Sequence, residues 1–420
     1  MIKRSKRLLW AIIPLLVFAY FGFITRGVLA YDPKTLYDEV WKLVKTKYVD
    51  VNKNGQDWQR WRHKYDQAIN NEDDAYVAIE TMLASLNDPY TKFLDPEEFA
   101  EEGRSISGTL FGIGIQIGIR DDKLLVIAPM EDTPAYKAGL MANDEILEIN
   151  SKSTKGISVK EAADLIRGEK GTPVELLIKR DGTEKRYAVI RDKINVKSVS
   201  IKDPKTVKID KNIGYIRLSS FLSSSASNEM FDALKKLSDK DGYIVDIRSN
   251  PGGLLTNAIS ISNMFLENGV IVSTVDRDGY KETQLSTKNA ITQKPLVVII
   301  DEGSASASEI LSGALKDNGR AVLVGSKSFG KGLVQEINKL PGGSGINITT
   351  QKYLTPNGTD INKVGILPDI EVKNTEEDFK NNKDPQLEKA QEVIKSLITQ
   401  SKSKEPITIN PDSKLRIIVH

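Results

Sequence analysis

Apolar and polar positions divide the chain into successive regimes. Residues 33 to 100 place Leu36, Val40, Leu43 and Val44 on one helical stripe, which Lys47-Tyr48 continues, and Ala75, Ala78, Ile79, Met82, Leu83 and Leu86 on another. That is the 3.6-residue period of amphipathic helices. Asp88-Pro89 and Asp95-Pro96 interrupt it with turns. The pattern predicts a small helical pair or bundle over 31–102, with the charge-rich stretch from Lys53 to Asp74 read as solvated surface.

From about Gly103 the period shortens to that of strands. Gly112-Ile-Gly-Ile115 precedes the alternating Gln116-Ile-Gly-Ile119, Asp121-Asp122 makes a turn, and Leu124 to Ala128 is a further strand. A short helix from Pro134 to Leu140 leads into Asn143-Asp144-Glu-Ile-Leu-Glu-Ile-Asn150. A second helix, Val159 to Arg167, precedes strands at 174–179 and 185–191, joined by the hairpin signal Asp181-Gly182. After a connecting segment at 192–212, strands and helices alternate: Ile213–Leu218, Ser223–Ser238, Gly242–Ile247, Leu254–Leu266, Val270–Val275, Leu296–Ile300, Ser306–Lys316 and Ala321–Val324. Such alternation predicts an α/β domain with a largely parallel core, here 192–380. Ile346–Tyr353 and Ile370–Val372 add strands to a mixed sheet. Asp384-Pro385 caps a final helix with Leu387, Ala390, Val393, Ile394 and Leu397 on one face. Lys402–Pro406 reads as a linker, and Leu415–Val419 as a strand that can pack on this subunit or on a neighbour. Helix and tail, 381–420, thus offer a homodimer contact.

Before all of this stands a different kind of segment. Lys3, Arg4, Lys6 and Arg7 precede an uncharged run from Leu8 to Ile24, closed by Arg26. Seventeen residues at about 1.5 Å each reach the lower limit for crossing a bilayer. The basic flank predicts a cytoplasmic start and an exported remainder. Val28-Leu29-Ala30 offers small residues for signal cleavage, so a secreted product is the competing reading. The length of the run and the position of Arg26 favour a single-pass membrane anchor over 1–30.

Composition removes several chemistries. Lys+Arg number 59 against 57 Asp+Glu, for a net charge of +2, and the two signs alternate, which disfavours a nucleic-acid surface. There is no cysteine, so thiol catalysis and disulfides are excluded. His63 and His420 are the only histidines. No multi-histidine metal site can form, no metal or cofactor is expected, and a serine nucleophile would have to find another base.

The chemistry concentrates in three loops. Gly303-Ser304-Ala305-Ser306-Ala307-Ser308-Glu309 joins the apolar run Pro295–Ile300 to a helical stripe at 310, 311, 314 and 315. A serine at a helix N-terminus faces free N–H groups and a dipole that favours an oxyanion. Ser306-x-x-Glu309 is equally a capping box, which needs no chemistry. Asn250-Pro251-Gly252-Gly253 opens another helix with glycines that allow close backbone approach. Ser326 to Gly332 sets Lys331 between two glycines. Singly, these are an ordinary strand–helix turn and a solvated lysine.

Residues 103–191 resemble a PDZ domain, in the proline-to-glycine helix, the Asn-Asp-Glu-Ile that follows it and the Ile-Asn turn. Asn143 stands where many such domains have glycine. Gly112, Ile113, Gly114 and Ile115 would present converging N–H groups to a peptide's terminal carboxylate, the peptide adding a strand beside 115–119. A plain hairpin entry is the alternative, and Arg167 either holds the peptide end or is a solvated helix terminus. The chain as a whole resembles the C-terminal processing (tail-specific) proteases. The resemblance is carried by Leu86-Asn-Asp-Pro-Tyr-Thr91, Asn250-Pro-Gly-Gly253, Ser304-Ala-Ser-Ala-Ser-Glu309, Phe329-Gly-Lys-Gly332 with Gln335, and Gly365-Ile-Leu-Pro-Asp369.

It implies a crotonase/ClpP-like α/β protease core with an inserted PDZ domain, acting on substrate protein C-terminal tails. By motif, it makes Ser306 the nucleophile, Lys331 the general base and Gln335 the residue that orients the lysine. It assigns the oxyanion to the backbone N–H groups of Gly252 and Ala307. A neutral lysine can take a proton where burial lowers its pKa. Four extended residues span about 13 Å, so a Lys331–Gln335 pair requires a helical turn or bulge. Glu309 is left with the cap, and Ser304 and Ser308 are rival serines. The other readings are a PDZ scaffold without activity, an acyl-CoA enzyme on the same core, and a structural helper without a site.

Overall fold

A computed structural model describes residues 31–403, except 108, 121, 131–132, 142, 196, 202–208, 376, 379–380 and 382. The Leu8–Ile24 segment, the expected strand at Leu415–Val419 and His420 lie outside these. Among the described residues no helix is long and apolar enough to cross a membrane. The chain forms two compact units.

The first unit comprises residues up to Phe99 together with Gln335–Thr350. Helices Pro33–Lys47 and Glu72–Ala84 bury the predicted stripes, capped by the side chains of Asp32 and Asn71. The charge-rich stretch between them is not all surface. Trp58 is buried, and the indoles of Trp41 and Trp58 each donate to the other's carbonyl, at 2.7 and 3.1 Å. Tryptophan can be buried this way because its N–H finds an acceptor. Leu340, Ile346 and Ile348 complete the same core, and strand Lys92–Leu94 pairs antiparallel with residues 345–347. The segment 335–350 follows the serine and lysine motifs in sequence, yet it packs with the N-terminal helices.

The second unit contains the PDZ-like domain and the α/β domain. In the PDZ-like domain, strands Ile115–Arg120, Lys123–Pro129, Glu145–Ile149, Pro173–Arg180 and Thr183–Ile190 form one antiparallel sheet in that order. Val174, Leu176 and Ile178 alternate inward and pack with Ala162 and Ile166 of helix Val159–Ile166. Residues 109–112 pair with 192–195 where the domain joins the rest of the chain.

The α/β domain is built on a six-stranded sheet whose spatial order follows the sequence: β1 (Val199–Ile201), β2 (Ile213–Leu218), β3 (Gly242–Asp246), β4 (Leu296–Ile300), β5 (Val322–Gly325) and β6 (Ile370–Glu371). Only β1 is antiparallel to its neighbour. Both faces are buried, which is why the strands read as unbroken apolar runs. Val245, Val298, Ile300 and Leu323 face helices α1 (Ala226–Lys236), α2 (Leu255–Asn263) and α3 (Ala307–Asp317). Ile244, Val297, Ile299 and Val324 face the C-terminal helix α4 (Pro385–Ser403). Val270–Asp276 does not join this sheet as the alternation predicts. It pairs antiparallel with Lys281–Leu285 and with residues 351–354, because a polar, solvent-facing hairpin follows it in place of a crossover helix.

Candidate active site

The three loops meet where β3, β4 and β5 end. Asn250, wholly buried, anchors the first: its amide nitrogen donates to Leu218 O at 2.9 Å, and its carbonyl accepts from Ala305 N and Ser308 Oγ. The Asn250 turn is thereby bonded to the serine loop. Gly252 follows at φ +97°. A side chain there would lie 2.6 Å from Ala305 O and 2.9 Å from both Ala307 N and the Ser306 Cβ. Only glycine fits.

The structure separates the three serines. Ser304 is buried and donates to Ile247 O at 2.9 Å, and buried Ser308 donates to Asn250 O at 2.9 Å. Their hydroxyls are used in holding the loops. Ser306 is half-buried and sits at the N-terminus of α3 with φ 54° and ψ −114°. A residue with a Cβ rarely adopts such angles, at a cost of about 1–3 kcal/mol, and strain of this kind clusters at functional sites. Ala307 N, the first helical amide, has no hydrogen-bond partner among the described residues. It is available to an oxyanion. The Gly252 amide is not: it donates to Asn250 Oδ1 at 2.9 Å. Of the two expected donors, one is therefore engaged in this state, since a buried asparagine must satisfy its own oxygen.

Glu309 does far more than cap α3. It is fully buried, and its carboxylate accepts from Ser306 N (2.8 Å), Lys331 N (2.8 Å), Gly330 N (2.7 Å) and Ser328 Oγ (2.5 Å). Its own amide is taken by the Ser306 carbonyl at 2.8 Å. Lys331 is thus brought beside Ser306 through one carboxylate oxygen, the two main-chain nitrogens lying within two hydrogen-bond lengths. Tyr353, also buried, donates to Lys331 O at 2.6 Å and lies 3.1 Å from Ser306 O. Burial, reinforced by the Glu309 charge, raises its phenol pKa well above the ordinary range. Sequence reasoning passed over Tyr353 and undervalued Glu309. The Glu309 signal was present in Ser306-x-x-Glu309 but is shared by any helix cap; Tyr353 carried none.

Gln335 lies on the strand Leu333–Lys339. In the first unit its amide donates to Thr349 Oγ1 at 3.3 Å, and Thr349 donates to Asp88 at 2.8 Å. Thr91 donates to the same Asp88 oxygen at 2.7 Å. The Leu86-to-Thr91 motif therefore builds a hydroxyl–carboxylate chain that ends on Gln335. His63 stands on an exposed turn, 3.0 Å from Asp66. Among the described residues no group of acidic, histidine or cysteine side chains could hold a metal.

In the PDZ-like domain Ile113 is buried in the core, so it can contribute only main chain to a site. Its carbonyl accepts from Ala135 N, and that of Gly114 from Met130 N, both at 2.9 Å. Gly114 has φ +77°, and a Cβ there would lie 2.4 Å from Thr133. Gly112 ends the strand paired with 192–195, and Ile115 opens an edge strand bonded on one side only. Helix Val159–Ile166 packs beside that edge. Arg167 ends this helix, exposed, and is ion-paired with Glu101 and Asp164.

A serine at a strained helix terminus, a lysine loop bonded to it through Glu309 and a PDZ-like domain upstream define a PDZ-containing serine peptidase, and comparison with known proteins agrees. Residues 212–372 match peptidase family S41, residues 125–180 a PDZ domain and residues 30–82 the tricorn protease C1 domain. A carboxyl-terminal-processing protease of Picosynechococcus sp. is 42% identical over 83% of this chain and 85% of its own length. One from Synechocystis sp. is 41% identical over 88% of each. Among solved structures, a photosystem II D1 C-terminal processing protease is 32% identical, with a TM-score of 0.56 over 82% of this chain and 94% of its own. The chain belongs to the carboxyl-terminal-processing protease family and is a serine-type peptidase.

Proposed function

We propose that Ser306 is the nucleophile and Lys331 its general base, acting on the C-terminal tails of substrate proteins. Neutral Lys331 takes the Ser306 hydroxyl proton as Oγ attacks the scissile carbonyl. The Ala307 N–H receives the oxyanion, joined by Gly252 once the Asn250 side chain releases its amide. The lysine ammonium then gives its proton to the departing amine, and water hydrolyses the acyl ester by the same path. The observation that carries this reading is the strained Ser306 at the start of α3, beside an unpaired Ala307 amide and bonded through Glu309 to the Lys331 loop. Gln335 enters it through the family resemblance alone. Tail peptides incubated with wild type, Ser306→Ala and Lys331→Ala, and read by mass spectrometry, test it. Both variants should be inactive with near-native melting temperatures, and cleavage by Ser306→Ala would end the assignment.

The same reading gives the PDZ-like domain the substrate's terminal carboxylate, at the Gly112–Ile115 main chain, with the tail as an added strand beside Ile115–Arg120. The open edge of that strand supports it. In this reading Arg167 senses or holds the peptide end, and removing 104–190 should change tail selectivity or regulation. We further assign the core to the crotonase/ClpP-like class, on the support of its sequentially ordered parallel sheet. The Leu8–Ile24 run we read as a single-pass anchor that leaves the catalytic part extracytoplasmic. Residues 381–420 remain the proposed contact of a homodimer.

A further inference from the structure

Two side chains hold both main-chain groups of both reacting residues. Glu309 accepts from Ser306 N and Lys331 N on one carboxylate oxygen, and Tyr353 reaches Ser306 O and Lys331 O with its hydroxyl. A helix cap accounts for only the first of these bonds. A carboxylate has about four acceptor directions, and here all are filled, three of them by Ser328, Gly330 and Lys331 of the facing loop. Tyr353 comes from a separate strand, Gly345–Leu354, and its own amide donates to Gly332 O at 3.0 Å. The Lys331 loop is thus held from two sides.

We propose that Glu309 and Tyr353 form a clamp that sets the distance between the nucleophile and its base, making both of them positioning residues for peptide hydrolysis. The proposal rests on the Ser306–Lys331 reading. Main-chain registration matters because small misplacements of a proton acceptor are costly in rate. A fully hydrogen-bonded buried carboxylate has little freedom to drift. The Tyr353 phenol stays protonated throughout the working pH range, held there by burial and by the Glu309 charge, so it donates at every stage of the cycle.

The test is steady-state cleavage of a tail peptide by the full chain bearing Tyr353→Phe or Glu309→Gln, with melting temperatures and the pH profile of kcat/KM. Tyr353→Phe removes only the hydroxyl. It should lower kcat about 10-fold with KM within about 2-fold, the size expected when one buried hydrogen bond is lost at the transition state. Its acid limb should move to higher pH, because a loosened lysine regains water and its ammonium is stabilised. Glu309→Gln turns an amide NH2 toward N–H donors and should cost about 100-fold or more in kcat. Wild-type kcat and an unshifted profile in Tyr353→Phe would overturn the clamp, and this variant decides alone if Glu309→Gln does not fold. Ser306→Ala in the same assay separates the two claims. If it still cleaves, the underlying reading fails; if it is dead while Tyr353→Phe behaves as wild type, only the clamp fails.

Discussion

Arg248 joins the end of the core sheet to the C-terminal helix, and replacing it with Met should loosen the framework behind the Asn250 turn. Its guanidinium is largely buried, bonds Asp246 at 2.7 and 3.1 Å, and reaches Asp384 at 2.8 and 2.9 Å. Asp246, only 2% exposed, is the group left behind. Breaking a buried ion pair from one side costs about 3–5 kcal/mol, mostly for the stranded charge. Asp246 keeps Tyr215 (2.5 Å) and Arg217 (3.1 Å), which argues for the lower bound, about 3 kcal/mol. Asp384 is about one-third exposed and recovers water, adding under about 1 kcal/mol. Together these come to about 3–4 kcal/mol, which for a domain of this size is a fall in Tm of about 6–16 °C, read by calorimetry at neutral pH.

The pH dependence has a definite sign. Burial alone would raise the pKa of Asp246 and Asp384, but hydrogen bonds and charge from Arg248 outweigh it, and both lie below the ordinary carboxylate range. The unfolded chain therefore binds more protons in acid. The stabilisation is complete above the unfolded carboxylate pKa, about 3.9, and is lost as pH falls through the lower folded values. In Arg248→Met the Asp246 pKa rises, so acid unfolding begins at higher pH. A Tm within about 2 °C of wild type, with an unchanged acid limb, would refute the reasoning.

Ser308→Ala should cost about 0.5–1.5 kcal/mol, the net worth of one hydrogen bond, because the Asn250 carbonyl keeps Ala305 N, with cleavage retained in the folded fraction; urea titration beside the peptide assay checks it. Gly114→Ala places a methyl 2.4 Å from Thr133 at φ +77°. It should weaken capture of a C-terminal peptide by about 10-fold or more in a fluorescence titration, while leaving turnover of a short substrate that does not engage this domain near wild type.

Periodicity was a reliable guide wherever one face of an element is buried. The stripes on Pro33–Lys47 and Glu72–Ala84 and the apolar runs of β3, β4 and β5 read directly, because burial imposes a repeat on local sequence. It misled where polar surroundings conceal a buried anchor, as at Trp58. It also misled at Val270–Asp276, whose partners are set by the hairpin after it and not by its own composition.

By itself the sequence determined the class of protein, through the order of its motifs: these resemble the carboxyl-terminal-processing proteases, and that resemblance, not composition, offers Ser306 and Lys331 as the reacting pair. Spacing alone could not separate Ser304, Ser306 and Ser308, which differ in backbone angle, in burial and in what their hydroxyls bond. Nor could it show that Glu309 and Tyr353 both touch the main chains of Ser306 and Lys331, or that Gly252 has its amide engaged by Asn250. These contacts join residues from 2 to 47 positions apart. Local propensity acts over one turn of chain, whereas the relation of Ser306 to Lys331 is made across loops. Only the packed sheet, which brings the ends of β3, β4 and β5 together, decides it.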